Sequence, residues 1–151
     1  MMNHFRYYLR VRYAECDAQK VVFNSRYGDY VDIAAVEFFR ALGFGVAMIN
    51  GNFDYQVVRQ TVEWKAPAHF DQVIEMSVAA KQLGNTSITL TTEFRIAGAD
   101  KVIVTAETVY VLFNAHTMEK MSIPADLRAA LEQPAIVAVT DHAGYLATIQ
   151  G

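Results

Sequence analysis

At 151 residues, with 53% hydrophobic and 19% charged side chains, the chain suits one domain with its own core and is too apolar for disorder. A net charge of −3, with basic residues scattered singly, argues against a nucleic-acid surface. The single cysteine, Cys16, excludes a disulfide framework and a thiolate metal cluster; with no signal-peptide core and no run of transmembrane length, the expected setting is cytoplasmic.

Residues 5–14 alternate and are rich in Tyr and Val, which predicts a first strand. A polar loop, 15–24, follows and carries Asp17. Ser25 is then a plausible N-cap for a helix with apolar residues at 27, 30, 31, 34, 35, 38, 39 and 42. That helix is expected to end at Leu42 before Gly43, with Gly45 and Gly51 keeping 43–53 irregular.

From there the period changes from 3.6 to 2. Strands are expected at 55–66, 72–83, 86–97 and 101–114, the first with Val58, Val62 and Trp64 on one face and Arg59, Thr61 and Glu63 on the other. The last strand is apolar on both faces in its second half, as for a strand covered on both sides. Pro124 opens a short helix to about Glu132, and the tail 134–151 is weakly patterned and expected to be only partly ordered. The whole reads as a single domain, 1–151, with a core of about 5–132.

A strand, a long helix and four antiparallel strands make an α+β layer arrangement, with the helix lying across the sheet. One helix over one sheet leaves apolar surface and an edge to cover, so a homo-oligomer is expected.

Three stretches carry a resemblance. The first is Asp17-Ala18-Gln19-Lys20-Val21-Val22-Phe23-Asn24-Ser25-Arg26-Tyr27, the second Val62 to Asp71 with Trp64 and Pro67, the third the apolar strand from Val109 into the Pro-led helix ending at Leu131. In this order they resemble the hotdog-fold acyl-CoA thioesterases of the 4-hydroxybenzoyl-CoA thioesterase type. The fold so implied is a five-stranded antiparallel sheet wrapped around one long central helix. Position 20 departs from the family pattern, which has Gly there. If that Gly serves a positive φ, lysine carries a conformational cost.

The resemblance implies hydrolysis of a short- or medium-chain or aromatic acyl-CoA, with no cofactor and no metal. Asp17 is then the carboxylate that attacks the thioester or activates water, and the backbone N–H of Asn24 polarises the carbonyl at the helix start. Phe23, Tyr27 and Asp32 are the substrate contacts implied on one chain. Asp32 would meet the polar far end of the acyl group, and Tyr27 would be core or pocket wall. Family pockets lie between two subunits, so Thr61, Glu63 and Trp64 would come from the partner in a dimer or homotetramer. Lys65, Lys81, Arg95 and Lys101 are candidates for the coenzyme's phosphates.

Other readings stay open at this stage. Asp17 also suits an Asx turn, Asp32 a solvated helix acid, and the fold a non-catalytic carrier or a hydratase-like enzyme. The four histidines share no metal-ligand spacing, and neither a GxSxG elbow nor a dinucleotide fingerprint occurs.

Overall fold

The computed structural model describes residues 5–133 and 138–150. Strand β1 is Phe5–Arg10, and helix α1, Arg26–Ala41, buries Tyr27, Tyr30, Val31, Ala34, Ala35, Phe38 and Phe39, the face its i, i+3, i+4 spacing predicts. Gly43, at φ 96°, ends it: Phe44 N–H reaches back to Phe39 O at 2.9 Å, a turn that needs a left-handed residue. Ser25 sits at the N-cap as expected, but its side chain caps nothing, because its own backbone is already helical.

The segment after Gly43 is not irregular throughout. It contains a short helix, α2, Gly45–Ile49. The long strands follow as β2 (Asp54–Trp64), β3 (Val73–Leu83), β4 (Ser87–Ile96) and β5 (Val102–Phe113), then helix α3, Ala125–Leu131. The tail corrects the sequence reading most. Residues 138–150 form a strand, β6 (Val139–Asp141), and a helix, α4 (Tyr145–Gln150), while 134–137 lie outside the described residues. Asp141 starts α4 by accepting the N–H groups of Tyr145 and Leu146 at 3.1 and 2.9 Å.

The sheet therefore has six strands, in the order β2-β5-β4-β3-β1-β6, and is not purely antiparallel. Five strands pair antiparallel as expected; β6 adds a parallel pair on β1. Nor is α1 the one helix, although at 16 residues it is the long one. Register shifts interrupt β2/β5, β3/β4 and β4/β5, and such bulges bend a sheet, here around α1. Ile74, Met76, Val78, Ile88, Leu90, Phe94 and Tyr110 meet α1 in the core.

Strand β2 is an edge. Val57, Val58 and Trp64 on it are 45%, 57% and 49% exposed. The shift between Val57 and Arg59 takes Val58 out of the ladder, so Val58 does not share the helix-side face with Val62 and Trp64 by simple alternation.

Candidate active site

The loop before α1 is a small hairpin. Asp17 N–H donates to Val21 O and Lys20 N–H to Asp17 O, both at 2.9 Å. Cys16 bridges Val22, Val21 bridges His69, and Val22 N–H donates to Ala68 O at 3.0 Å. The stretch that carries Pro67 and His69 thus seals one side of the loop. Tyr27, buried in α1, fixes that stretch in turn: its hydroxyl accepts Ala68 N–H at 3.2 Å. Tyr27 is a wall, with burial raising its phenol pKa.

Asp17 is half-buried. Its Oδ1 accepts Gln19 N–H at 2.8 Å and Val21 N–H at 3.3 Å, the bonding of an Asx turn. No donor meets Oδ2 among the described residues. The Asx turn therefore uses one carboxylate oxygen and leaves the other uncommitted.

Lys20 has φ 62°, the left-handed conformation that the glycine of the family pattern would take without strain. Its carbonyl accepts Phe70 N–H at 2.8 Å, which holds the turn in place. Lys20→Gly is expected to raise stability by about 0.5–1 kcal/mol, the relief of strain less the entropy glycine adds to the unfolded chain. A melting temperature higher by roughly 1–4 °C would be its mark.

Next along the chain, Phe23 is 44% exposed and Asn24 is exposed. No acceptor meets the N–H groups of Asn24 or Ser25 among the described residues, as expected of a helix's first turn. Asn24, Tyr27, Val22, Trp64 and Lys65 line a cleft of about 280 Å³. Asp17 stands beside this cleft through its hairpin with Val21, which also lines it.

Of the other predicted residues, Thr61, Glu63 and Asp32 do not line that cleft within one chain. Thr61 pairs with Glu107 and Glu63 with Thr105, on the sheet face turned away from α1; Trp64 pairs with buried Val104 on the helix side. Thr61 and Glu63 line a larger groove on the outer face, about 350 Å³, with Arg59, Glu93 and Glu107. Asp32 lies two turns into α1, exposed, with its pKa raised by partial burial and by Asp29. Its charge in turn helps raise the phenol pKa values of Tyr55 and Tyr110, where burial is the larger cause.

Sequence reasoning missed three residues, two of them toward the far end of α1. Tyr110 is fully buried, and its hydroxyl has no hydrogen-bond partner among the described residues; neighbouring Thr108 eases its pKa downward without reaching bonding geometry. Tyr55 packs against it edge to face at 4.6 Å. Glu15 is a buried acid two residues before Asp17. An acid three residues after Arg12 was the available signal for Glu15; the tyrosines carried none, since each reads as ordinary strand composition.

A curved, mainly antiparallel sheet around one long helix is the hotdog arrangement. The chain belongs to the Thioesterase-like superfamily, whose sequence profile matches residues 11–131. It is 28% identical over 131 residues to the acyl-CoA thioester hydrolase YbgC of Escherichia coli O6:H1, covering 85% of this chain and 96% of that one. Among solved structures it resembles the gentisyl-coenzyme A thioesterase BH1999, with 26% identity, a TM-score of 0.74 and coverage of 83% and 98%. It is similarly close to a protein of Aquifex aeolicus, with 26% identity, a TM-score of 0.77 and coverage of 85% and 99%. The enzyme is a thioester hydrolase. No helix among the described residues is long and apolar enough to cross a membrane.

Proposed function

We propose that the enzyme hydrolyses acyl-CoA thioesters, with the thioester carbonyl held at the start of α1 and attacked through Asp17. What supports this reading is a cleft lined by Asn24, at a helix start whose N–H groups have no acceptors among the described residues, beside a hairpin whose Asp17 carboxylate keeps one oxygen uncommitted. The Asn24 N–H stabilises the carbonyl oxygen as it gains charge, aided by the helix dipole. Asp17 Oδ2 either adds to the carbonyl carbon or takes a proton from the water that adds. In the first route the C–S bond breaks, the coenzyme leaves as its thiolate, and water then hydrolyses the mixed anhydride left on Asp17, its proton going to the thiolate. In the second the tetrahedral adduct expels the thiolate, which takes the proton that Asp17 received. The names of YbgC and of the gentisyl-coenzyme A thioesterase support the choice of coenzyme A thioesters.

Lys65 is the cation of choice for the coenzyme's phosphates. It lines the cleft, whereas Lys81 and Arg95 are paired with Glu107 and Glu93 at 2.6 and 3.1 Å. A second copy pairing along the open edge of β2 would cover Val57, Val58 and Trp64 and complete the pocket, with a tetramer built from such dimers.

The acyl group then runs along α1 from Asn24 toward Asp32, about 12 Å of helix axis. Asp32, exposed at that distance along α1, favours an acyl group with a polar far end, aromatic or short-chain. Tyr110→Phe is expected to leave the melting temperature unchanged or raise it, since no hydrogen bond is lost. The deciding experiment for the reading as a whole is thiol release from a panel of aliphatic and aromatic acyl-CoAs. Turnover of one or more supports it; saturable binding with no thiol released overturns it in favour of a carrier.

A further inference from the structure

Glu15 is the one charged side chain that is buried among the described residues, at 7% exposure. It lies in a single 3-10 turn, Tyr13–Glu15, which joins β1 to the Asp17 hairpin. Its Oε1 accepts the Arg12 N–H at 2.8 Å and the Tyr30 hydroxyl at 2.8 Å, and its Oε2 accepts the Arg12 guanidinium at 3.0 and 2.5 Å. Its backbone carbonyl accepts Phe23 N–H at 3.0 Å. Burial pushes the Glu15 carboxyl up, but the hydrogen bonds and charge of Arg12, with the Tyr30 bond, more than offset this and hold it below the usual range. It is therefore ionised at working pH, in a place where a charge is costly.

Those bonds join three parts, with Asp17 close by in the chain. Tyr30 is on α1, Arg12 follows β1, Asp17 is two residues on in chain, and Phe23 is the residue before Asn24. One side chain and its carbonyl thus tie the carboxylate loop to the helix start. We propose that Glu15 is a positioning residue, a brace that sets the distance between the Asp17 carboxylate and the Asn24 N–H. This rests on the reading of those two groups as the reacting pair. Such pairs lose rate steeply when misplaced by an ångström or so, while binding that depends on the rest of the cleft is spared.

The test uses Glu15→Gln and Tyr30→Phe in the full chain. Gln keeps one acceptor for Tyr30 and turns an amide toward the Arg12 guanidinium; Phe removes only the Tyr30 bond. Tyr8→Phe, which loses a 2.8 Å bond to Glu75 elsewhere on the sheet, is the control for a lost hydrogen bond as such. Expected for Glu15→Gln are a kcat lower by about tenfold or more with KM within about twofold, and amide hydrogen exchange faster by about tenfold across 16–24 but not in β3 or β4. Tyr30→Phe should move both readouts the same way by less, and Tyr8→Phe should move neither. Wild-type kcat and wild-type exchange in Glu15→Gln overturn the brace, as does a rise in KM alone; if that variant does not fold, the same results in Tyr30→Phe decide. Should the wild type release no thiol from any acyl-CoA, the thioesterase reading falls and the exchange readout still decides whether Glu15 braces the loop.

Discussion

Replacing Asp17 by Asn is expected to lower kcat on acyl-CoA by about 10³-fold, within the range attributed to a positioned acid–base group, and to leave the fold intact. The two halves of that expectation come from the two carboxylate oxygens. Asn retains an amide oxygen in the place of Oδ1, so the N–H groups of Gln19 and Val21 keep their acceptor and the turn survives. The other position becomes an amide nitrogen, which neither attacks a carbonyl nor takes a proton from water at neutral pH. Thiol release gives the rate, and a thermal melt within about 2 °C of wild type shows the turn intact. Full activity in this variant would remove Asp17 from the chemistry and leave it as a turn residue. Asp17→Ala is a different experiment, because it also strips two backbone N–H groups of their acceptor, at about 1–3 kcal/mol each if they stay buried.

The second large effect belongs to the backbone of Asn24. Asn24→Ala keeps the N–H and is expected to hold kcat within a few-fold, whereas Asn24→Pro removes the N–H and is expected to lower kcat by about 10²–10³-fold, the usual cost of one oxyanion donor. The contrast works because the position tolerates proline. It lies two residues before α1, second in the turn that Arg26 N–H closes on Phe23 O, where proline fits; no acceptor uses its N–H among the described residues, and its side chain is exposed. Equal rates in the two variants would place the carbonyl elsewhere, Ser25 N–H being the neighbouring donor. Circular dichroism and the melting temperature of the proline variant check that α1 still starts at Arg26.

Much of this site was legible because its signals are local. The stripe from Tyr27 to Phe39 predicted both α1 and the face it buries, and the Gly43 stop followed from one residue's freedom at positive φ. Lys20 was legible as an anomaly. The pattern asks for glycine there, and the structure shows why, at φ 62°. The alternation of β2 separated Thr61 and Glu63 from Trp64 correctly. It could not say which face would meet α1, and only Trp64 reaches the cleft.

Other features depend on partners far away in sequence. The bulge at Val58 breaks the period-2 rule locally, so β2 could not be read as a uniform ladder. β6 is three residues long, too short for any period to show, and exists because β1 offers it a free edge. Glu15 reads as a loop acid until Tyr30, fifteen residues on, closes over it. Tyr110 reads as strand filler until its hydroxyl is seen to lack a partner among the described residues.

The sequence alone determined the order of elements, the buried face of α1, the acid loop in front of it and the family to which they point. These depend on spacing and on backbone preference within one turn or one strand. Only the tertiary structure decided that one oxygen of Asp17 is anchored and the other uncommitted, that Glu15 is buried, and that β2 is the open edge. Those depend on which distant groups come within about 3 Å of one another, and hydrogen-bond geometry over such contacts has no period to read.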